Sequence, residues 1–353
     1  MSSKKEKTYL VFLIVILITC IVLVVFMNQK NKESYTPKVI NDKIHIIHIG
    51  GTIDIEKKLV NISKNQEDNI GTYSIHAFNP ILDSSNMKPK DWIKIGKYIT
   101  SVYDQYDSFI IIHGADTVTY TASSLAFMFE NLSKPIVIIG ISKNEKNESN
   151  DILSSLLYAS QYNIPEVVVI SNDKIYRACC TVKNSSNNII SPSLPPLGEI
   201  TGENIDIDYE IILKPPTAGT IFKPFNTKIR VVVIKLFPGI TSEYIRTVLG
   251  AYPVHGIVFE LYGVGHSPTD KLFLEALEDL SSKMVLMIGV NHSSNNERDT
   301  ELEKRGVFTG LNMSTETALS KLYYLITTTD NYEQAATMIQ QPLRGELVVD
   351  LNV

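Results

Sequence analysis

The chain has 353 residues, 44% of them hydrophobic, which is enough to bury a large core and long enough for two domains. A formal net charge of -5 leaves no basic footprint for nucleic acid. Its three cysteines, Cys20 in an apolar run and Cys179 beside Cys180, form neither a disulfide framework nor zinc-ligand spacing, so no metal is implied.

In chain order, the lysine-rich tail 1–8 precedes Tyr9 to Met27, an uncharged apolar run close to the roughly 20 residues with which a helix crosses a bilayer. The run is too long for a secretory segment, and Val25-Phe26-Met27-Asn28 is too bulky for a cleavage site. A buried core helix is disfavoured because the run is apolar all round. The sequence therefore predicts a single-pass membrane helix over 9–27, with the slight lysine bias of the tail placing the body on the lumenal or extracellular side. Residues 28–42 are polar and read as a tether.

From Lys43 onward, short β-branched runs alternate with segments of helical spacing. Ile44 to Ile49, Phe109 to Ile112, Ile136 to Ile139 and Val167 to Ile170 read as buried parallel strands. Between them, Asp91 to Tyr103, Thr117 to Glu130 and Asp151 to Gln161 read as helices. This alternation predicts an α/β fold with a doubly wound parallel sheet over 43–220, and ligands bound beyond the carboxyl ends of the strands. Pro-rich stretches at Pro192 to Pro196 and Pro215-Pro216 precede a second, smaller α/β domain over 228–353. Its strands are read near 230–234, 256–261 and 284–290, and its helices at 270–281, 314–327 and 331–340.

Two turns stand where such a sheet presents ligands. Gly50-Gly51-Thr52-Ile53 follows the first strand and leaves a hydroxyl at the mouth; alone it is an ordinary strand-ending turn. The turn lacks the further glycine and lysine of a phosphate loop, so no nucleotide cofactor is implied. His113-Gly114-Ala115-Asp116-Thr117 follows a later strand. Asp116 or Thr117 can cap the next helix, or the carboxylate can receive a ligand ammonium.

Together with Asp83-Ser84-Ser85-Asn86-Met87, Lys90-Asp91-Trp92, Tyr176-Arg177, Thr181 to Lys183, Ser191 to Leu197, Tyr262-Gly263-Val264-Gly265 and Leu343-Arg344-Gly345-Glu346-Leu347, these turns resemble the bacterial-type L-asparaginases. The likeness is greatest to the type I cytoplasmic branch and runs collinearly from about Ile46 to Leu347. It implies the two-domain asparaginase-like fold. Position by position, it implies that Thr52 is the nucleophile, that Lys183 helps deprotonate a hydroxyl, that Asp116 holds the substrate α-amino group, and that Ser84 and Ser85 lie at the α-carboxylate. A homodimer or homotetramer is implied too, with sites between subunits.

Departures fall on the same machinery. Ala115 stands where the family's second signature has a threonine, and a methyl cannot relay a proton. The segment after Thr52 is shorter than the family's mobile lid and has no tyrosine before Tyr73. Gly140-Ile141-Ser142-Lys143 replaces the family's G-S-Q-x-P, Ala178-Cys179-Cys180 replaces G-N-R, and His266 replaces an asparagine that faces a neighbouring subunit. The resemblance with these departures predicts an asparaginase-like protein, a scaffold for asparagine or glutamine side-chain amides, whose catalysis is lost or strongly reduced. The alternative is an active asparaginase, converting asparagine and water to aspartate and ammonia with Thr52 and an altered relay.

Overall fold

Alternation along the isoleucine-rich strands decides the architecture. Successive residues of a strand face opposite sides of a sheet, so an unbroken run such as Phe109-Ile110-Ile111-Ile112 feeds two cores at once. In the computed structural model, Phe109, Ile111, Ile136, Ile138, Val167 and Val169 face one core, while Ile110, Ile112, Val137, Ile139, Val168 and Ile170 face the other. Helices cover both faces. Pro89–Val102 and Val118–Met128 supply Trp92, Ile95, Ile99, Val118, Ala122 and Leu125 to the first core. Ile55–Ser63 and Glu148–Gln161 supply Ile55, Leu59, Ile152 and Leu156 to the second. Burying each such side chain stabilises by roughly 1.5–3 kcal/mol before entropy is counted.

The structure describes residues 41–51, 54–63, 69–142, 148–186, 188–250, 253–291 and 299–347, all within the unit Val39–Val353. The larger sheet has eight strands in the order Asn204–Ile207, Gly198–Thr201, Lys174–Arg177, Val167–Ser171, Ile136–Ile141, Ser108–Gly114, Lys43–His48 and Thr72–Ala77. The last five are mutually parallel, with Ile46 beside Ile110 and Ile110 beside Val137. The first three run antiparallel. The wholly parallel sheet read from the sequence is therefore corrected to a mixed one. The hairpin over Asn172 and Asp173, both at positive φ, reverses the chain before any helix can form.

The smaller sheet is parallel, in the order Val231–Lys235, Gly256–Glu260, Leu286–Val290 and Val307–Thr309. Its helices start on side-chain caps, Asp270 accepting from the Phe273 N–H, Ser314 from Thr317 and Asn331 from Gln334. Helix Thr315–Thr328 packs on Val118–Met128 of the larger half, where the Ser124 and Ser320 hydroxyls bond at 3.1 Å. One apolar core thereby runs through both halves.

A late segment ties this core down. Buried Arg177 forms a two-pronged ion pair with buried Glu166 at 2.6 and 3.0 Å and also donates to the carbonyls of Ile211 and Gly345. Arg344 donates to the Ala126 and Phe127 carbonyls at the end of helix Val118–Met128, a favourable place for a cation. Lys321, fully buried, bonds Glu346 at 2.6 Å and the Gln341 carbonyl at 2.7 Å.

The expected membrane helix, Tyr9 to Met27, lies outside the described residues. Among the described residues no helix is long and apolar enough to cross a membrane, the longest having 14 residues where about 20 are needed. The expectation of a single-pass membrane protein with a lumenal or extracellular body is corrected accordingly.

Two histidines give the fold an acid sensitivity. His45 is held between Ser74 and Tyr98 at 2.7 and 2.9 Å and stacks on Tyr106, and burial lowers its pKa to about 4. Burial also lowers that of His113 to about 4. Unfolded, both titrate near 6.5, so the unfolded chain binds more protons as pH falls below that value. Stability is expected to be level above about pH 6.5 and to fall steadily from there toward pH 4, by up to about 1.4 kcal/mol per pH unit for each histidine. Urea midpoints at pH 7.5, 6 and 5 measure it, and His45→Asn should flatten the slope.

Candidate active site

The turns that leave four of the parallel strands meet at their carboxyl ends. Gly51 follows Lys43–His48, the stretch Ile81 to Ser84 follows Thr72–Ala77, Ala115 and Asp116 follow Ser108–Gly114, and Ser142 follows Ile136–Ile141. With Gly114 and Ile141 they line an open cleft of about 420 Å³. Glycine makes the convergence possible. A Cβ on Gly50 would lie 2.9 Å from the Leu82 carbonyl, and one on Gly114 would lie 2.6 Å from Ser84 Oγ.

Within the cleft the buried Ser84 hydroxyl donates to Asp116 Oδ2 at 3.2 Å. Asp116 itself is exposed, leaving the carboxylate open to a ligand ammonium. The Ala115 methyl is buried in the wall. Helix Val118–Met128 starts at Thr117, but neither Asp116 nor Thr117 caps it with a side chain. The Thr117 hydroxyl turns the other way and donates to the Ser84 carbonyl at 2.6 Å, which fixes the 84–86 turn against the second signature. Sequence reasoning missed this role, because nothing local to Thr117 announces a partner 33 residues away.

Lys183 approaches from the opposite side. It ends the two-residue strand Val182–Lys183, paired with Ile189–Ile190, and its Nζ donates to the Ala115 carbonyl at 3.2 Å. It lines a separate cavity of about 600 Å³, shared with Tyr120, Asn184, Glu260, Asn312 and Glu316. There burial, with Glu316 and Glu260 nearby, pushes the Tyr120 hydroxyl up to about 12. Ala115 thus lines the first cavity and accepts, through its carbonyl, from a lysine that lines the second.

The structure brings together Ser84, Ala115 and Asp116, with Lys183 meeting them through one backbone carbonyl. It does not bring Ser85. That residue is exposed, and its hydroxyl and N–H both serve the Asp83 carboxylate, at 2.8 and 3.0 Å, whose pKa these bonds lower. Thr52 lies outside the described residues. The segment expected as a shortened lid contains helix Ile55–Ser63, whose Ile55 and Leu59 are buried in the sheet's second core. The histidine read at the subunit contact, His266, is exposed beside a tight turn closed on Tyr262. His113 has both ring nitrogens occupied. Its Nδ1 must carry the proton, since it faces the Gly114 carbonyl at 2.6 Å, leaving Nε2 to accept from Thr121.

Residues 43–213 match the family described as asparaginase, N-terminal, and residues 230–339 match the glutaminase/asparaginase C-terminal domain. The chain belongs to the asparaginase family. It is 30% identical over 338 residues to L-asparaginase 1 of Escherichia coli strain K12, covering 87% of this chain and 98% of that one. The crystal structure of L-asparaginase I from Vibrio cholerae superposes with a TM-score of 0.80 at 32% identity, covering 87% of this chain and 99% of that one. A structure named as a probable cytoplasmic L-asparaginase from Campylobacter jejuni shares the fold, with a TM-score of 0.69 at 21% identity over 84% of this chain and 99% of that one. The asparaginase fold of this chain thus combines the large mixed sheet with the smaller parallel one.

The Thr117 bond is open to test. Thr117→Val leaves the Ser84 carbonyl without its donor and is expected to cost about 1 kcal/mol of unfolding free energy, whereas Thr117→Ser keeps most of it; urea denaturation of the two variants measures the difference.

Proposed function

We propose that this asparaginase-family protein keeps an amino-acid site while its side-chain amide hydrolysis is lost or strongly reduced. The observation that carries the reading is Ala115. Hydrolysis by the family's route needs a nucleophilic hydroxyl and a second hydroxyl through which a lysine draws its proton. Here Lys183 donates to the Ala115 carbonyl, where there is no proton to take. The Thr117 hydroxyl is committed to the Ser84 carbonyl, the Ser84 hydroxyl faces Asp116, and Ser142 lines the Ile141 side of the cleft. On this reading Thr52 lacks the relay that the family resemblance implies.

Binding groups are retained. Asp116, exposed in the cleft, is the group this reading assigns to the α-amino group of asparagine, glutamine or a related ligand. Ser84 beside it is assigned to the carboxylate, turning from Asp116 when a ligand is bound. Helix Ile55–Ser63, anchored by Ile55 and Leu59, leaves less chain free to close over the ligand and exclude water. The family likeness also supports a homodimer or homotetramer, which light scattering of the purified protein would reveal.

Ammonia release by the full-length protein tests the reading. Asparagine and glutamine should be hydrolysed at least about a thousandfold more slowly than by an intact family site. Ala115→Thr should restore little of this, because the lid tyrosine is still missing. Rapid turnover by the unmodified chain would establish instead an active asparaginase with another relay.

A further inference from the structure

The wall of the cleft has changed along with its catalytic hydroxyl. Asp116 and Ser84 form its polar end, and Ile81, Leu82 and Ile141 line it with aliphatic carbon, joined by the Ala115 methyl. Ile141 is held firmly. It ends the buried strand Ile136–Ile141 and presses on the first signature turn, so that a Cβ on Gly51 would lie 3.2 Å from its own Cβ. Ile81 is 42% exposed at the rim, an apolar surface that a ligand could cover.

The polar side chains do not balance this wall. Among the described lining residues the charged groups are Asp83 and Asp116, and Asp83 is occupied by Ser85 and Asn86. Ser142 is the hydroxyl on the Ile141 side. A ligand amide set against the aliphatic carbon of Ile81, Leu82 and Ile141 would surrender bonds to water that those side chains do not replace, while a hydrocarbon side chain there would gain from leaving water. The volume of about 420 Å³ lies within the usual range for small-molecule sites.

We infer that the cleft selects an amino acid with a branched aliphatic side chain, of the leucine class, over asparagine or aspartate. The ammonium sits on Asp116, the carboxylate lies toward Ser84, and the side chain packs on Ile81, Leu82 and Ile141. This rests on the reading that the cleft still binds an amino acid, and it names which kind.

Isothermal titration of the full-length protein with L-leucine, L-asparagine and L-aspartate is the test. Leucine is expected to bind at least about tenfold more tightly than either, in line with what a few buried methylenes discriminate. Ile141→Ser should narrow that preference below about threefold by weakening leucine alone. Ile81→Ser, at the exposed rim, provides the same test should the buried substitution impair folding, and Asp116→Asn should weaken all three ligands. Asparagine or aspartate binding as tightly as leucine would overturn the inference. So would a leucine affinity unchanged in Ile81→Ser, or no heat from any of the three at 10 mM, a concentration about a decade above ordinary substrate affinities. Ammonia release is read separately, so rapid asparagine turnover would sink the catalytic reading without deciding the order of affinities.

Discussion

Covering both faces of the four inner parallel strands is the constraint on which the rest of this protein depends. Strands buried on both sides admit a polar side chain only where it is hydrogen-bonded, as His45 is, so chemistry gathers at the turns beyond their ends. Four such turns converge at one edge here, and they come closer than side chains on Gly50 and Gly114 would permit. That contact brings Ser84, Ala115 and Asp116 together although the chain separates them by about 30 residues. The cleft is a product of the sheet, and it persists whether or not its residues can catalyse a reaction.

Much of this was legible in the sequence, for physical reasons that can be named. Unbroken isoleucine and valine runs mark strands with two buried faces, and helical spacing between them marks the covering layers. The antiparallel strands Lys174–Arg177, Gly198–Thr201 and Asn204–Ile207 were not legible as such. They are short, and their hairpins turn on Asn172-Asp173 and Gly202, signals that also end ordinary loops. Thr72–Ala77 escaped as well, because an edge strand with a half-exposed pattern lacks the apolar run. At the site, family likeness pointed to Ser84, Asp116 and Lys183, but only coordinates could say that Ser85 serves Asp83, or that Lys183 faces a different cavity.

Ala115 matters for the contact its carbonyl makes as much as for the atom it lacks. A lysine ammonium is seldom left without a partner, and where a hydroxyl is missing it takes the next acceptor within reach. Here that acceptor is the carbonyl of the same residue. The hydrogen bond holds the Lys183 ammonium at the backbone of the very residue that lacks the hydroxyl. The isoleucine at 141 shares the wall of the cleft with the alanine methyl.

The turn around Arg344, Gly345 and Glu346 bears on when the molecule can assemble. Arg177 finds its partner at Gly345, 168 residues further on, and Arg344 reaches the carbonyls of Ala126 and Phe127 across 218 and 217 residues. During synthesis the larger sheet emerges first, yet its buried guanidinium and the end of its central helix must wait for the turn at 344–346 to be made. Until then the chain carries a partly paired Arg177 and an uncovered seam along the end of helix Val118–Met128, so closure of this core has to follow synthesis of residues 344–346.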